Sequence, residues 1–228
     1  MPLRLARKNL VLSSLSKEDL AVLESELLRW PLATNDILFD VGDALDKVVF
    51  PTAGVVSLVA VRPASQVEVA MVGREGFIGM TLVAGTAHSP YRCVVRAAGE
   101  AVCIPASRFN KMVEAASTFR DALRVYFGEM SAQLGDSVIA ASTGTIPQRL
   151  ARWILMTLDR ADGDTVTMTH HLASERLGVR RPSVTAGLQS LERQGLIRTE
   201  RSLVTVVDRR GLTTLAGDIY TAPPWKSG

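Results

Sequence analysis

The side chains with the most evident chemistry lie in Leu177-Gly178-Val179-Arg180-Arg181-Pro182-Ser183-Val184-Thr185, followed by Leu188, Leu191 and Gly195-Leu196-Ile197. An arginine can hold guanine O6 and N7 with two hydrogen bonds, and glutamine can pair with adenine. Serine and threonine hydroxyls bond phosphate or base, and alanine or a threonine methyl can touch a thymine methyl. Arg180, Arg181, Ser183, Thr185, Ala186 and Gln189 therefore form a candidate base-reading set, with Arg181 as its main reader.

Such a set works only if a helix presents it. Ser174, Gly178 and Val184 supply a small residue at a helix crossing, a residue able to turn and an apolar anchor, at spacings of four and six. This is the frame of a helix-turn-helix. Pro182 falls in the first turn of the second helix, where its missing N–H is harmless, and Val184, Leu188 and Leu191 form the inward face. Thr169 is placed to cap the preceding helix, which runs to about Leu177, and is counted among the candidate DNA-binding residues. Downstream, Gly195 to Thr199, then Glu200-Arg201-Ser202, then Leu203 to Val207 read as strand, tight turn and strand. That is a wing, and Arg198 and Arg201 on it can contact phosphates.

The charge distribution agrees. Between His170 and Arg210 stand eight arginines (176, 180, 181, 193, 198, 201, 209 and 210) against Glu175, Glu192, Glu200 and Asp208. The local balance is +4 in a chain whose formal net charge is +3, so the rest carries −1. Positive charge confined to the helix-turn-helix region is what phosphate attraction requires.

Catalysis finds no residues. The histidines are His88 and the adjacent pair His170-His171, and no nucleophile, base and acid group together. Neighbours on a helix point about 100° apart, so the pair is a poor chelate; it belongs at the helix start, near DNA or solvent. Neither enzyme activity, a metal nor a cofactor is expected. Cys93 and Cys103 lie in what read as neighbouring strands, and both are expected as buried thiols.

The remaining chain supplies the elements that carry the motif. At 47% hydrophobic and 21% charged residues the composition is that of a globular protein, not a disordered one. No apolar run reaches membrane-spanning length, and Lys8-Asn9 follows Met1 to Arg7 where a signal-peptide core would stand. No membrane partner and a cytoplasmic location are expected. Ser16-Lys17-Glu18-Asp19 caps a helix with Leu20, Leu23, Leu27 and Leu28 as its stripe and Pro31 as its stop. Then come short Val/Ile/Phe runs at Ile37–Phe39, Lys47–Pro51, Val55–Val61, Val67–Val72, Arg92–Ala97 and Ala101–Ile104, the pattern of a β-barrel or roll. Val41-Gly42-Asp43, Ala53-Gly54 and Arg62-Pro63-Ala64-Ser65 supply turns, and Gly73-Arg74-Glu75-Gly76 reads as a tight turn whose glycines serve backbone geometry.

After a short helix with Phe109, Met112 and Val113, a near-heptad seam of Phe119, Leu123, Phe127, Met130, Leu134, Val138 and Ala141 marks one long helix. With Gly128 and Gly135 on it, this helix is expected to carry a homodimer interface. Ser142 to Pro147 breaks it, Gln148–Leu158 starts the next helix, and Asp162-Gly163-Asp164 turns. The tail Pro223 to Gly228 is expected to fray.

With these stretches, Val67-Glu68-Val69-Ala70-Met71-Val72-Gly73-Arg74-Glu75-Gly76-Phe77-Ile78-Gly79 and Leu177 to Asp208 above all, nearly the whole chain resembles a Crp/Fnr family transcription regulator. The resemblance implies an α+β chain of two domains. A cyclic-nucleotide-binding-like β-roll (a double-stranded β-helix) spans residues 1–116, a dimerisation helix 117–144 and a winged helix-turn-helix 145–228. It implies a homodimer on double-stranded DNA bearing an inverted repeat, two recognition helices about one DNA turn apart, and admits RNA polymerase as a further partner.

Two departures limit what carries over. In cyclic-AMP-binding members the roll has Gly-Glu for the ribose and Arg followed by Ser or Thr for the cyclic phosphate. Those places here hold Gly79-Met80 and Arg92-Cys93, so they mark the candidate effector site while cyclic AMP itself is not expected; the effector is unknown. Best-known recognition helices of the family follow their arginine with Glu and another Arg, where this chain has Pro182 and Ala186. An iron-sulfur sensor is excluded, since no cysteine precedes Cys93, and haem lacks axial ligands. The rival reading is a small-molecule-binding module whose winged helix mainly mediates protein contacts.

Overall fold

The computed structural model describes residues 2–223 and 225. The chain divides into two compact units, residues 1–60 with 70–132, and residues 61–69 with 133–228.

The first unit opens with α1 (Pro2–Ala6), α2 (Leu10–Ser13) and α3 (Lys17–Glu24). Ser16 caps α3 by accepting from the Asp19 N–H, as the sequence suggests, but the helix ends at Glu24. Leu28–Leu32 is instead a strand, β1. Its Pro31 faces Glu100 on the edge of a sheet, where a residue without an N–H is tolerated. The expected leucine stripe thus breaks between Leu27, which is buried, and Leu28, which is exposed.

Strands β2 (Ile37–Phe39), β3 (Lys47–Pro51), β4 (Val55–Arg62), β5 (Ser65–Val72), β6 (Arg92–Ala97) and β7 (Gly99–Pro105) follow. They form a four-stranded sheet ordered β2-β6-β4-β5 and a three-stranded sheet ordered β1-β7-β3, the two layers of a roll. Gly42 and Gly54, both at positive φ, make two of the expected turns. Successive strands β6 and β7 sit in different sheets, so Cys93 and Cys103 are not on paired strands. Both are free buried thiols, and burial pushes the Cys93 thiol up to about 12.

Helices α4 (Ala106–Ala115) and α5 (Ser117–Thr143) complete the core. Phe50 packs on Phe77 and Phe119 at ring separations of 5.5 and 6.0 Å, Phe109 on Phe119 at 5.9 Å, and Phe77 on Tyr126 at 5.0 Å. Asn9, wholly buried, ties α2 to this core by donating to the Pro51 and Gly76 carbonyls at 2.8 Å each.

Gly76 is required for space more than for backbone freedom. A Cβ there would lie 2.0 Å from the Tyr126 ring, and its φ is not left-handed. Tyr126 is buried against Phe77 and cannot swing aside. Gly76→Ala is expected to cost about 1–3 kcal/mol as overpacking, read as a lower urea midpoint, and Tyr126→Leu should recover part of it. An unchanged midpoint would contradict the packing argument.

The second unit contains α6 (Ile146–Arg160), β8 (Thr165–Thr167), α7 (His170–Leu177), α8 (Arg181–Arg193), β9 (Ile197–Glu200), β10 (Leu203–Val206) and α9 (Arg209–Ala216). Thr145 and Gln148 form a capping box at the start of α6, with Pro147 in its first turn. Gly187 lets α8 approach α6, since a Cβ there would meet Leu150 at 2.6 Å. The three strands form one antiparallel sheet ordered β8-β10-β9. Neither β8 nor α9 was expected, although Asp208 caps α9 by accepting from the Gly211 N–H at 2.9 Å. Of the expected frayed tail, Pro224 and Lys226 to Gly228 lie outside the described residues.

Candidate nucleic-acid interface

The helix-turn-helix has the geometry its spacing implies. Thr169 accepts from the Leu172 N–H at 3.1 Å and caps α7. Gly178 ends that helix at φ 62, with its N–H on the Glu175 carbonyl at 3.2 Å and the Val179 N–H on the Ser174 carbonyl at 3.0 Å. Arg180 is extended and precedes α8. Val184, Leu188 and Leu191 are buried. On the other side Arg180, Arg181, Pro182, Ala186 and Gln189 are exposed, with Ser183 and Thr185 half-buried.

The wing is tied to this helix. The Glu192 carboxylate accepts the Thr199 N–H and hydroxyl, both at 2.8 Å, and these bonds hold it below the usual carboxylate range. Arg198 lies exposed on β9, and Arg201 is exposed at the turn, where Ser202 takes φ 60. Thr169, Arg181 and Arg201 line one cleft of about 400 Å³, also bordered by both histidines of the pair. Arg180 borders a different groove, beside Glu175 and Gly178.

His170 has a role the sequence did not reveal: its Nδ1 lies 2.9 Å from the Thr185 hydroxyl. His171 Nε2 stands 3.5 Å from Glu175. Among the described residues no cluster of three or more metal-ligating side chains occurs.

Two of the eight arginines do not serve the surface field as expected. Arg176 is buried, 3.7 Å from Glu68 and 4.4 Å over the Trp153 ring, and Trp153 Nε1 donates to Glu68 at 2.7 Å. Arg209 pairs with the buried Asp159 at 2.5 Å. Both acids lie outside residues 170–210, so the local count overstated the free charge. Arg180, Arg181, Arg193, Arg198, Arg201 and Arg210 remain exposed.

The candidate effector residues are partly separated. Gly79, Met80 and Cys93 line one cavity of about 30 Å³ with Leu58, Phe77 and Met130. That is room for about one water, against roughly 300–1,000 Å³ for a ligand pocket. Arg92 is held by Asp40 in a two-pronged pair at 3.0 and 2.9 Å, which raises the pKa of the guanidinium and lowers that of the carboxyl. A carboxylate therefore occupies the guanidinium that a cyclic phosphate would need. As arranged here, neither the Asp40-paired guanidinium nor the small cavity offers the cyclic-AMP contacts described above.

The seam residues of α5 divide by face. Phe119, Leu123 and Met130 are buried in the core of their own unit, Leu134 is half-buried, and Phe127 and Val138 are 39% and 66% exposed. Val125 and Ile139 are exposed as well, and open space lies around Gly128 and Gly135.

A β-roll joined to a winged helix with an exposed recognition face defines a two-domain regulator. Residues 29–116 match the family model of the cyclic nucleotide-binding domain, and residues 148–215 that of the Crp-like helix-turn-helix domain. Together the two matches cover more than half of the chain, and the protein belongs to the Crp/Fnr family of transcription regulators. Among solved structures, a putative Crp/Fnr-family regulator from Eubacterium rectale is similar at TM-score 0.70 and 12% identity, over 90% of this chain and 96% of that one. A CRP-family transcriptional regulator from Thermus thermophilus gives 0.69 and 20%, over 86% and 100%. The c-di-GMP-responsive global regulator CLP of Xanthomonas campestris gives 0.69 and 16%, over 84% and 99%. No curated protein sequence matches. Among the described residues no helix is long and apolar enough to cross a membrane.

Proposed function

We propose that this regulator acts as a homodimer that binds double-stranded DNA at an inverted repeat, with α8 in the major groove, Arg181 as the main base reader, and Arg198 and Arg201 of the wing on phosphates. Its domains are the roll over 1–116, the dimerisation helix over 117–144 and the winged helix over 145–228. The carrying observation is that α8 buries one face completely and leaves Arg181, Ala186 and Gln189 on the other, with Arg180 exposed just ahead of it and two exposed wing arginines beside it. The dimer contact uses the uncovered strip of α5 at Val125, Phe127, Gly128, Gly135, Val138 and Ile139, because Phe119, Leu123 and Met130 are already enclosed. The effector of the roll is a ligand other than cyclic AMP, given the Asp40–Arg92 pair and the small size of the cavity beside Gly79 and Met80.

Selection of binding sites from a random DNA pool, with and without candidate small molecules, tests this reading. A two-fold-related consensus is expected. Against the selected site, Arg181→Ala should weaken binding about 5- to 150-fold while leaving weak nonspecific binding intact. Equal loss on every sequence would show that Arg181 touches only the backbone.

A further inference from the structure

The Thr185 hydroxyl has one hydrogen, and the protein uses it. Thr185 Oγ1 donates to the Arg181 carbonyl, one turn back on α8, at 3.2 Å. The same oxygen lies 2.9 Å from His170 Nδ1 on α7. A carbonyl only accepts, so with the hydroxyl hydrogen on Arg181 it is His170 Nδ1 that donates the second bond; in the other His170 tautomer the hydroxyl donates to Nδ1 instead, and in both its single hydrogen is taken. Two fixed partners on two helices set one rotamer. Thr185 also sits four residues from Arg181 and four from Gln189, in the middle of the strip that those exposed side chains define.

A hydroxyl in this state has no hydrogen for a base acceptor, whether guanine O6 or N7, adenine N7 or thymine O4. What Thr185 retains for a base edge is its methyl group and one lone pair of Oγ1, which only a donor such as adenine N6 or cytosine N4 could use. We infer that His170 is a specificity-positioning residue: by locking the Thr185 rotamer it makes position 185 a reader of a thymine 5-methyl group. The inference rests on the DNA-reading function proposed above. It adds a residue on the first helix of the motif, which need touch no base, to the determinants of sequence choice.

The test uses the full chain and the duplex obtained by site selection, with each thymine replaced in turn by uracil, which lacks only the methyl. One thymine in each half-site should show a loss of about fourfold on replacement, the contribution of one buried methyl group. Thr185→Ser, which keeps the hydroxyl and removes the methyl, should bring that thymine-to-uracil ratio to one. His170→Ala should lower the ratio towards one while binding to a scrambled duplex at low salt stays at the wild-type level. His170→Asn, which restores a donor on a short side chain, should recover the ratio in part. A selected site at which no thymine is sensitive, or a ratio that survives Thr185→Ser or His170→Ala, overturns the inference and leaves the DNA-binding function standing. Failure to select any site overturns the function itself and the inference with it.

Discussion

Replacing Arg209 by methionine is expected to destabilise the winged-helix unit by about 3 kcal/mol, the low end for stripping a buried charge of its partner, because Arg209 is itself 46% exposed. Asp159 is 1% exposed and accepts from Arg209 at 2.5 Å and from the Tyr220 hydroxyl at 2.9 Å. These bonds bring α6, the start of α9 and the segment beyond it to one carboxylate. Without Arg209 a charge stays buried beside a neutral hydroxyl, and the melting temperature should fall by on the order of 10 °C. Asp159→Asn added to Arg209→Met should return part of the loss, since the uncompensated charge goes with it. An additive double mutant would mean that the pair contributes nothing.

The same cluster carries a pH signature. Burial, then the neighbouring Asp159, holds the Tyr220 phenol above its usual value. A group whose pKa is raised on folding contributes stability that is complete below the unfolded value, about 10, and is lost as pH climbs towards the folded one. The winged helix should therefore weaken as pH rises past about 10, and Tyr220→Phe should flatten that limb of the profile.

The parts of this structure legible in the sequence are those whose causes are local. Ser174, Gly178 and Val184 are spaced by the geometry of two crossing helices, so the motif and its outward face follow from a few residues. Gly42 and Gly54 mark turns for a reason internal to the backbone. Leu28–Leu32 is different, because it extends a leucine pattern that also suits a helix. Only pairing with β7, some seventy residues later, makes it a strand. Cys93 and Cys103 likewise sit in consecutive strands, and the change of sheet between them leaves no mark in composition.

Site chemistry follows the same division. The outward arginines could be read, but Arg176 and Arg209 look like the others until Glu68 and Asp159 are brought to them by the fold. His170 stands fifteen residues from Thr185, and the turn places them in contact. In α5 apolar residues occur on two faces, and spacing alone does not tell which one the β-roll unit covers. Phe119, Leu123, Tyr126 and Met130 share the inner face; the glycines and Val125 mark the outer one.

Val138→Glu, on that uncovered strip, is expected to convert the proposed dimer to a monomer. Val138 is 66% exposed within its own chain, so the substitution costs the folded monomer little and should leave helical circular dichroism unchanged. In a two-fold contact each substitution occurs twice, and two carboxylates near the axis must be desolvated against one another. A monomer can still grip one half-site. The second half-site is then no longer presented at high effective concentration, so affinity for the complete inverted repeat should fall about 100-fold or more while affinity for an isolated half-site is kept. Mass from light scattering and titration of whole and half operators separate the two effects. Dimeric mass with wild-type affinity would place the contact elsewhere; monomeric mass with undiminished affinity for the full site would mean that DNA binding does not depend on the dimer, because the loss of avidity follows only if both recognition helices engage together.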